Sequence, residues 1–167
     1  MKKRILSVVS AMIAFCIMFC SSVTNVGAED VINRQVDGFY LTTAESSTAE
    51  TEHNPLLRGE HLMDGTVTIS KSGVKKIFVY GSTTANHTVD YISIIMYVEE
   101  YNPEDDTWGQ IDCWSVDEEN NYYVVTQKMI EVDGGHYYRI RGNHFAWNEG
   151  ETLVDESVTV TDGIWVD

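Results

Sequence analysis

Few residues of this chain stand at spacings that do chemistry. Ser72-Gly-Val-Lys75 has the Ser-x-x-Lys spacing that, on a helix, brings a hydroxyl nucleophile and an amine one turn apart. Gly73 and the period-two runs on either side place it in a hairpin turn instead, and the partner motifs of the penicillin-binding enzymes are absent. Neither a Gly-x-Ser-x-Gly elbow nor a His-Glu-x-x-His pair occurs. His53, His61, His87, His136 and His144 form no His-x-His or His-x-x-x-His pair, so each reads as solvated or hydrogen-bonded. His136 and His144 share one strand, but at about 3.4 Å per residue they stand roughly 27 Å apart, too far for one ion.

The acidic loop Glu104-Asp105-Asp106 can point carboxylates at a cation. Counted from Asn102, however, the glycine and distal glutamate of a helix–loop–helix calcium site fall on Thr107 and Cys113. Weak calcium binding at the surface is the most this loop offers, and no other cofactor is expected. A carboxylate pair for glycoside cleavage is defined by separation in space, so 26 acids in the chain say little about it. The folded part, residues 55–167, has short loops and little room for a deep cleft. The chain is therefore read as non-catalytic. Cys113 lies in the acidic stretch Gln110–Asp117, which does not favour a thiolate, and reads as a small buried hydrophobe.

Aromatic residues carry the most pointed signal. Pairing Tyr101 with Trp108 across the loop at 102–107 sets Met96, Val98, Ile111 and Cys113 on a core face with Ile92 and Ile94. The reverse face carries Tyr91, Tyr97, Tyr101, Trp108 and Trp114 among Ser93, Glu99, Gln110 and Asp112. A one-residue slip would bury Glu99 and Asp112, so the register reads as well specified. Tyr97, Tyr101, Trp108 and Trp114 are the candidate ligand-binding residues. Flat amphipathic rings stack on sugars or peptide groups, although cross-strand pairing alone also explains such a face.

These residues must be positioned by strands. Period-two runs at 66–70, 75–81, 91–101, 108–117, 122–132, 136–145, 157–161 and 164–166 alternate with turn signals, among them Glu118-Glu-Asn-Asn121 and Asp133-Gly134-Gly135. Seven or eight strands and no helical stripe predict an all-β, single antiparallel β-sandwich. In Gly135–Gly142, Tyr138 is expected at a corner with Ile140 inward and Tyr137, Arg139 and Arg141 outward. That segment resembles the penultimate strand of immunoglobulin-like and fibronectin-type-III modules, which implies an immunoglobulin-like fold. Such a likeness carries no activity with it.

The N-terminus reads as an export signal. Lys2-Lys-Arg4 precedes an uncharged apolar run from Ile5 to Cys20 and a small-residue exit at Val26-Gly-Ala28, which predicts a cleavable signal peptide over 1–28. Residues 29–54 are Ser/Thr- and Glu-rich and are expected to be mostly disordered, with a short apolar island at 36–41. The full chain has 26 acidic and 11 basic side chains, a net charge of −15. That balance excludes nucleic acid as a partner, because basic residues supply most of that affinity. No membrane attachment is expected once the signal is removed.

Pro55-Leu-Leu-Arg-Gly59, Gly81-Ser-Thr-Thr84 with Thr88-Val-Asp90, Tyr137–Gly142 and Asp162-Gly-Ile-Trp165 together resemble small secreted proteins of clostridial-type Gram-positive bacteria, grouped as a domain of unknown function. The resemblance implies an exported β-rich fold and assigns no site residue. The expectation is a secreted, extracellular, monomeric β-sandwich that binds a glycan or protein through its aromatic face. The alternatives are a small glycan-active hydrolase and a passive envelope-associated structural protein.

Overall fold

Alternation of apolar and polar residues in the C-terminal two thirds of the chain forces strands. The computed structural model, which describes residues 34–51, 60–152 and 154–167, contains nine strands and no helix among them. They are β1 (Gln35–Val36), β2 (Phe39–Thr42), β3 (Ser46–Glu50), β4 (Leu62–Lys71), β5 (Lys76–Asn102), β6 (Thr107–Glu131), β7 (His136–Trp147), β8 (Asp155–Val160) and β9 (Gly163–Val166). The signal-peptide segment, His53 and Pro55–Gly59 lie outside the described residues.

The strands make one curled, mixed sheet in the order β1-β2-β9-β7-β5-β4-β3, with β6 along β5 and β8 along β7. The β2–β9 pairing is parallel and the others are antiparallel. Two long strands generate the curl. The runs expected separately at 75–81 and 91–101 are the single strand β5, and those at 108–117 and 122–132 are the single strand β6. The turn signal at 118–121 is a bend within β6, with Asn120 in the left-handed region (φ 52°). Opposite it, pairing jumps from Thr84↔Tyr123 to Val89↔Asn121, so four residues of β5, 85–88, stand against one of β6. Extra residues of this kind increase bend and twist.

The two halves of β5 consequently face each other. A side chain at Gly81 would strike Met96 and Ile94, and one at Gly142 would strike Val67 of β4. Between the layers lie Val67, Ile69, Ile77, Val79, Ile92, Ile94, Met96, Val98, Tyr138 and Ile140, all fully buried. Each buried aliphatic side chain contributes about 1.5–3 kcal/mol relative to exposure.

Residues 35–50, expected to be without structure, carry β1, β2 and β3. Disorder was inferred from the scarcity of apolar side chains, but backbone pairing to existing edges supplies what they lack. β3 adds to β4 over Ser46–Glu50, with Thr48 bonded to Thr68 at 2.9 Å. Asp37 and Gly38, both with positive φ, form the two-residue turn of the β1–β2 hairpin, as a type I′ turn requires. The apolar island delivers Val36 and Leu41 into a second small cluster with Tyr101, Trp108 and Tyr137.

Candidate functional site

The outward face of β5 and β7 gathers the residues with recognition chemistry. Along β5 the fully buried Ile92, Ile94, Met96 and Val98 point to the core, so Tyr91, Ile95, Tyr97, Glu99 and Tyr101 point the other way. β7 pairs Tyr91 with Trp147, Ser93 with Phe145, Tyr97 with Arg141 and Glu99 with Arg139, placing those partners on the same face. Tyr91 and Trp147 are stacked, with ring centroids 5.1 Å apart and planes 18° apart. The Arg141 guanidinium lies 3.8 Å from the Tyr97 ring centroid. Tyr91, Ile95, Tyr97, Arg141, Phe145 and Trp147 all keep partial exposure, and Val158 of β8 beside them is exposed.

Of the four residues expected on one platform, three share this face and one does not. Tyr101 pairs with Trp108 as expected. Beyond that pair the ladder runs Glu99↔Gln110 and then Val98↔Asp112, so Ile111 is an extra residue, a β-bulge. Every later residue of β6 is thereby turned over. Trp114 pairs with Met96 and packs against the main core, its Nε1 donating to Thr126 Oγ1 at 3.0 Å. Cys113, expected in the core, is an exposed free thiol, and Ile111 is exposed as well. Tyr101 is not an open platform residue either. It is buried beneath the β1–β2 hairpin with Val36 and Leu41. Tyr97 alone of the four lies on the open part of the face.

The slip turns Asp112 to the side of Val98, where Lys128 pairs with it at 2.5 Å, while Glu99 keeps its outward place and is neutralised there. It is only 6 % exposed, and its carboxylate accepts from Arg139 Nε at 2.7 Å and Arg141 Nε at 2.9 Å. Arg139 is itself 7 % exposed, with its guanidinium 4.3 Å from the Trp108 ring centroid and 5.4 Å from that of Phe39. Asp37, at the tip of the β1–β2 hairpin, approaches Arg139 Nη2 only to 3.8 Å. Arg34 completes the set, bonded to Asp106 at 2.9 Å and lying over Tyr101. Thus all three arginines of the described residues converge here. Two buried donors, Arg139 Nη1 and Trp108 Nε1, have no hydrogen-bond partner.

Local titration follows from these contacts. Burial, then the hydrogen bond to Asp106, raises the Tyr101 hydroxyl above its usual range. The Tyr101 hydroxyl, ahead of the Arg34 guanidinium, holds the Asp106 carboxyl below its own. The acidic loop is therefore not an array of free carboxylates: Asp106 accepts from Tyr101 at 2.7 Å, and Asp105 accepts from Thr107 at 2.6 Å.

Histidines that looked scattered meet at the opposite end. His61 Nδ1 is 3.1 Å from His87 Nε2, and His61 Nε2 is 2.7 Å from Glu151 Oε2. No group of three or more His, Cys, Asp or Glu side chains among the described residues has metal-holding geometry. His144 is a core residue, bonded to Thr83 at 2.9 Å and Thr159 at 2.8 Å. Tyr138 is fully buried next to the inward Ile140, and its single hydroxyl proton lies between two acceptors at 2.9 Å, the Asp133 carbonyl five residues upstream and Glu100 Oε2.

A cleft of about 730 Å³ opens beside the bulge, lined among others by Glu100, Asp112, Glu131, Asp133, Lys75 and Lys76. Three of these four acids are engaged: Glu100 by Tyr138 and His136, Asp112 by Lys128, Glu131 by Lys76. Comparison with protein-family models, with curated proteins and with solved structures finds no match to this chain.

Sequence reasoning missed Phe145 and Trp147 of β7, which carry as much of the face as Tyr97. Their period-two spacing from Arg139 and Arg141 was the available signal.

Proposed function

We infer that this protein is an exported, non-catalytic binding module that holds an extracellular glycan against the outward face of β5 and β7. The observation that carries the reading is the partly exposed aromatic surface made by the Tyr91–Trp147 stack, Phe145, and Tyr97 beneath Arg141. Aromatic rings with a polar rim suit the apolar faces of sugar rings. Export is supported by the basic, apolar and small-residue order of residues 1–28. An immunoglobulin-like ancestry belongs to the same proposal, supported by the Tyr138 bond to the backbone of residue 133. So does kinship with the small secreted clostridial-type proteins, supported by the residues quoted for that likeness.

A glycan array probed with the chain tests the reading: retention on one glycan class supports it, and retention on none overturns it. The cleft near Glu100 and Asp112 favours a second reading, a small glycan-active hydrolase. Glycan cleavage that disappears in Glu100→Gln and Asp112→Asn variants would establish that reading instead.

A further inference from the structure

We propose that the end of the aromatic face formed by Arg139 and Trp108 is a receptor for a carboxylate, so that the glycan bound is an acidic, uronate-bearing one; the inference rests on the glycan-binding reading above. Glu99 is one carboxylate shared between two guanidinium groups, which leaves a positive excess in a nearly closed site. Asp37 offsets part of it without hydrogen-bonding Arg139. At 3.8 Å from Nη2 it is beyond hydrogen-bond distance, and its side chain is 66 % exposed.

Buried polar groups are almost always hydrogen-bonded, and an exception calls for an explanation. Here two exceptions are neighbours, Arg139 Nη1 and Trp108 Nε1. Both are N–H donors, and one belongs to a guanidinium whose hydrogen bond to a carboxylate is made at Nε. A carboxylate oxygen suits such a donor, because hydrogen bonds between ionised groups are the strong ones. In a chain of net charge −15, the convergence of Arg34, Arg139 and Arg141 with Glu99, Asp37 and Asp106 gives an acidic ligand a place where local charge balances.

The sugar attached to such a carboxylate would continue onto Tyr97, over which Arg141 already lies. The β1–β2 hairpin covers this cluster and is held to β9 by two register pairs, Leu41↔Gly163 and Thr42↔Ile164. Asp37 at its tip occupies the edge that a ligand oxygen would take. Replacing Asp37 with asparagine keeps the left-handed turn, which asparagine tolerates, and removes the competing charge.

The test uses a panel of galacturonate, glucuronate and mannuronate oligosaccharides, each paired with its methyl ester. These are titrated into the full chain while the four tryptophan indole N–H resonances are followed by NMR. At least one free acid should move the Trp108 resonance while its ester does not. Trp108→Phe, which loses the donor together with part of the indole, should weaken that acid about tenfold while the variant still unfolds cooperatively in denaturant, and Asp37→Asn should strengthen it. If acid and ester bind alike with Trp108 unmoved, the carboxylate inference is overturned while the glycan reading stands. If no panel member binds but neutral glycans on the array do, the outcome is the same. Silence from both the panel and the array overturns the two together.

Discussion

At the residue scale, the chemistry of this protein is decided by how single polar groups are buried. Glu99 is buried because two arginines hold it, and removing it would strand both guanidinium groups. Glu99→Ala should cost about 3–5 kcal/mol, measured by chemical denaturation. His144 shows the neutral counterpart. Burial pushes its imidazole down to about 4, against the pull of Asp64. Between its ordinary value near 6.5 and about 4, the unfolded chain binds a proton that the folded chain does not. Stability from this group is thus fully present above pH 6.5 and is lost as pH falls toward 4, by up to about 3 kcal/mol. Denaturation midpoints between pH 7 and pH 4.5 should fall more steeply in the parent chain than in a His144→Leu variant. Cys113, outward on β6, should react rapidly with a thiol reagent in the native state, and slow labelling would contradict its placement.

Elements show where the sequence was legible and where it was not. Alternation along 91–101 located β5 and its core face, and the loop at 102–107 located the Tyr101–Trp108 pair. What failed was continuity. A period of two assumes an unbroken ladder, whereas Ile111 interrupts it and inverts Cys113 and Trp114. The slip looked forbidden because it turns Asp112 toward the core side, and the Lys128 that pairs with Asp112 lies 16 residues away in sequence. The polar segment 35–50 was misjudged for a related reason. Its order comes from the edges of β4 and β9, which composition does not reveal. The hairpin of β1 and β2 is nevertheless anchored by packing: Leu41 is 2 % exposed against Tyr101 and Trp108. Leu41→Ala should cost about 2–4 kcal/mol in denaturant unfolding and increase solvent quenching of tryptophan fluorescence.

At the scale of the whole molecule, two layers of one curled sheet leave a broad outer surface on which the three arginines of the described residues cluster beside the aromatic face. Self-repulsion among the excess acids should make the fold salt-sensitive. Its thermal midpoint is expected to rise between about 0.05 and about 0.5 M NaCl as screening shortens to a few ångströms. Binding of an acidic glycan should weaken over the same range, since the attraction is electrostatic, while a neutral stacking contribution persists. The most direct test of recognition by the β5–β7 face is the double variant Tyr97→Ala, Trp147→Ala, assayed on the glycan array and by chemical denaturation in parallel. Both side chains are only half-buried, so stability should fall by no more than about 1–2 kcal/mol while retention on the glycan is lost. A variant that stays folded and binds as well as the parent chain would contradict the account.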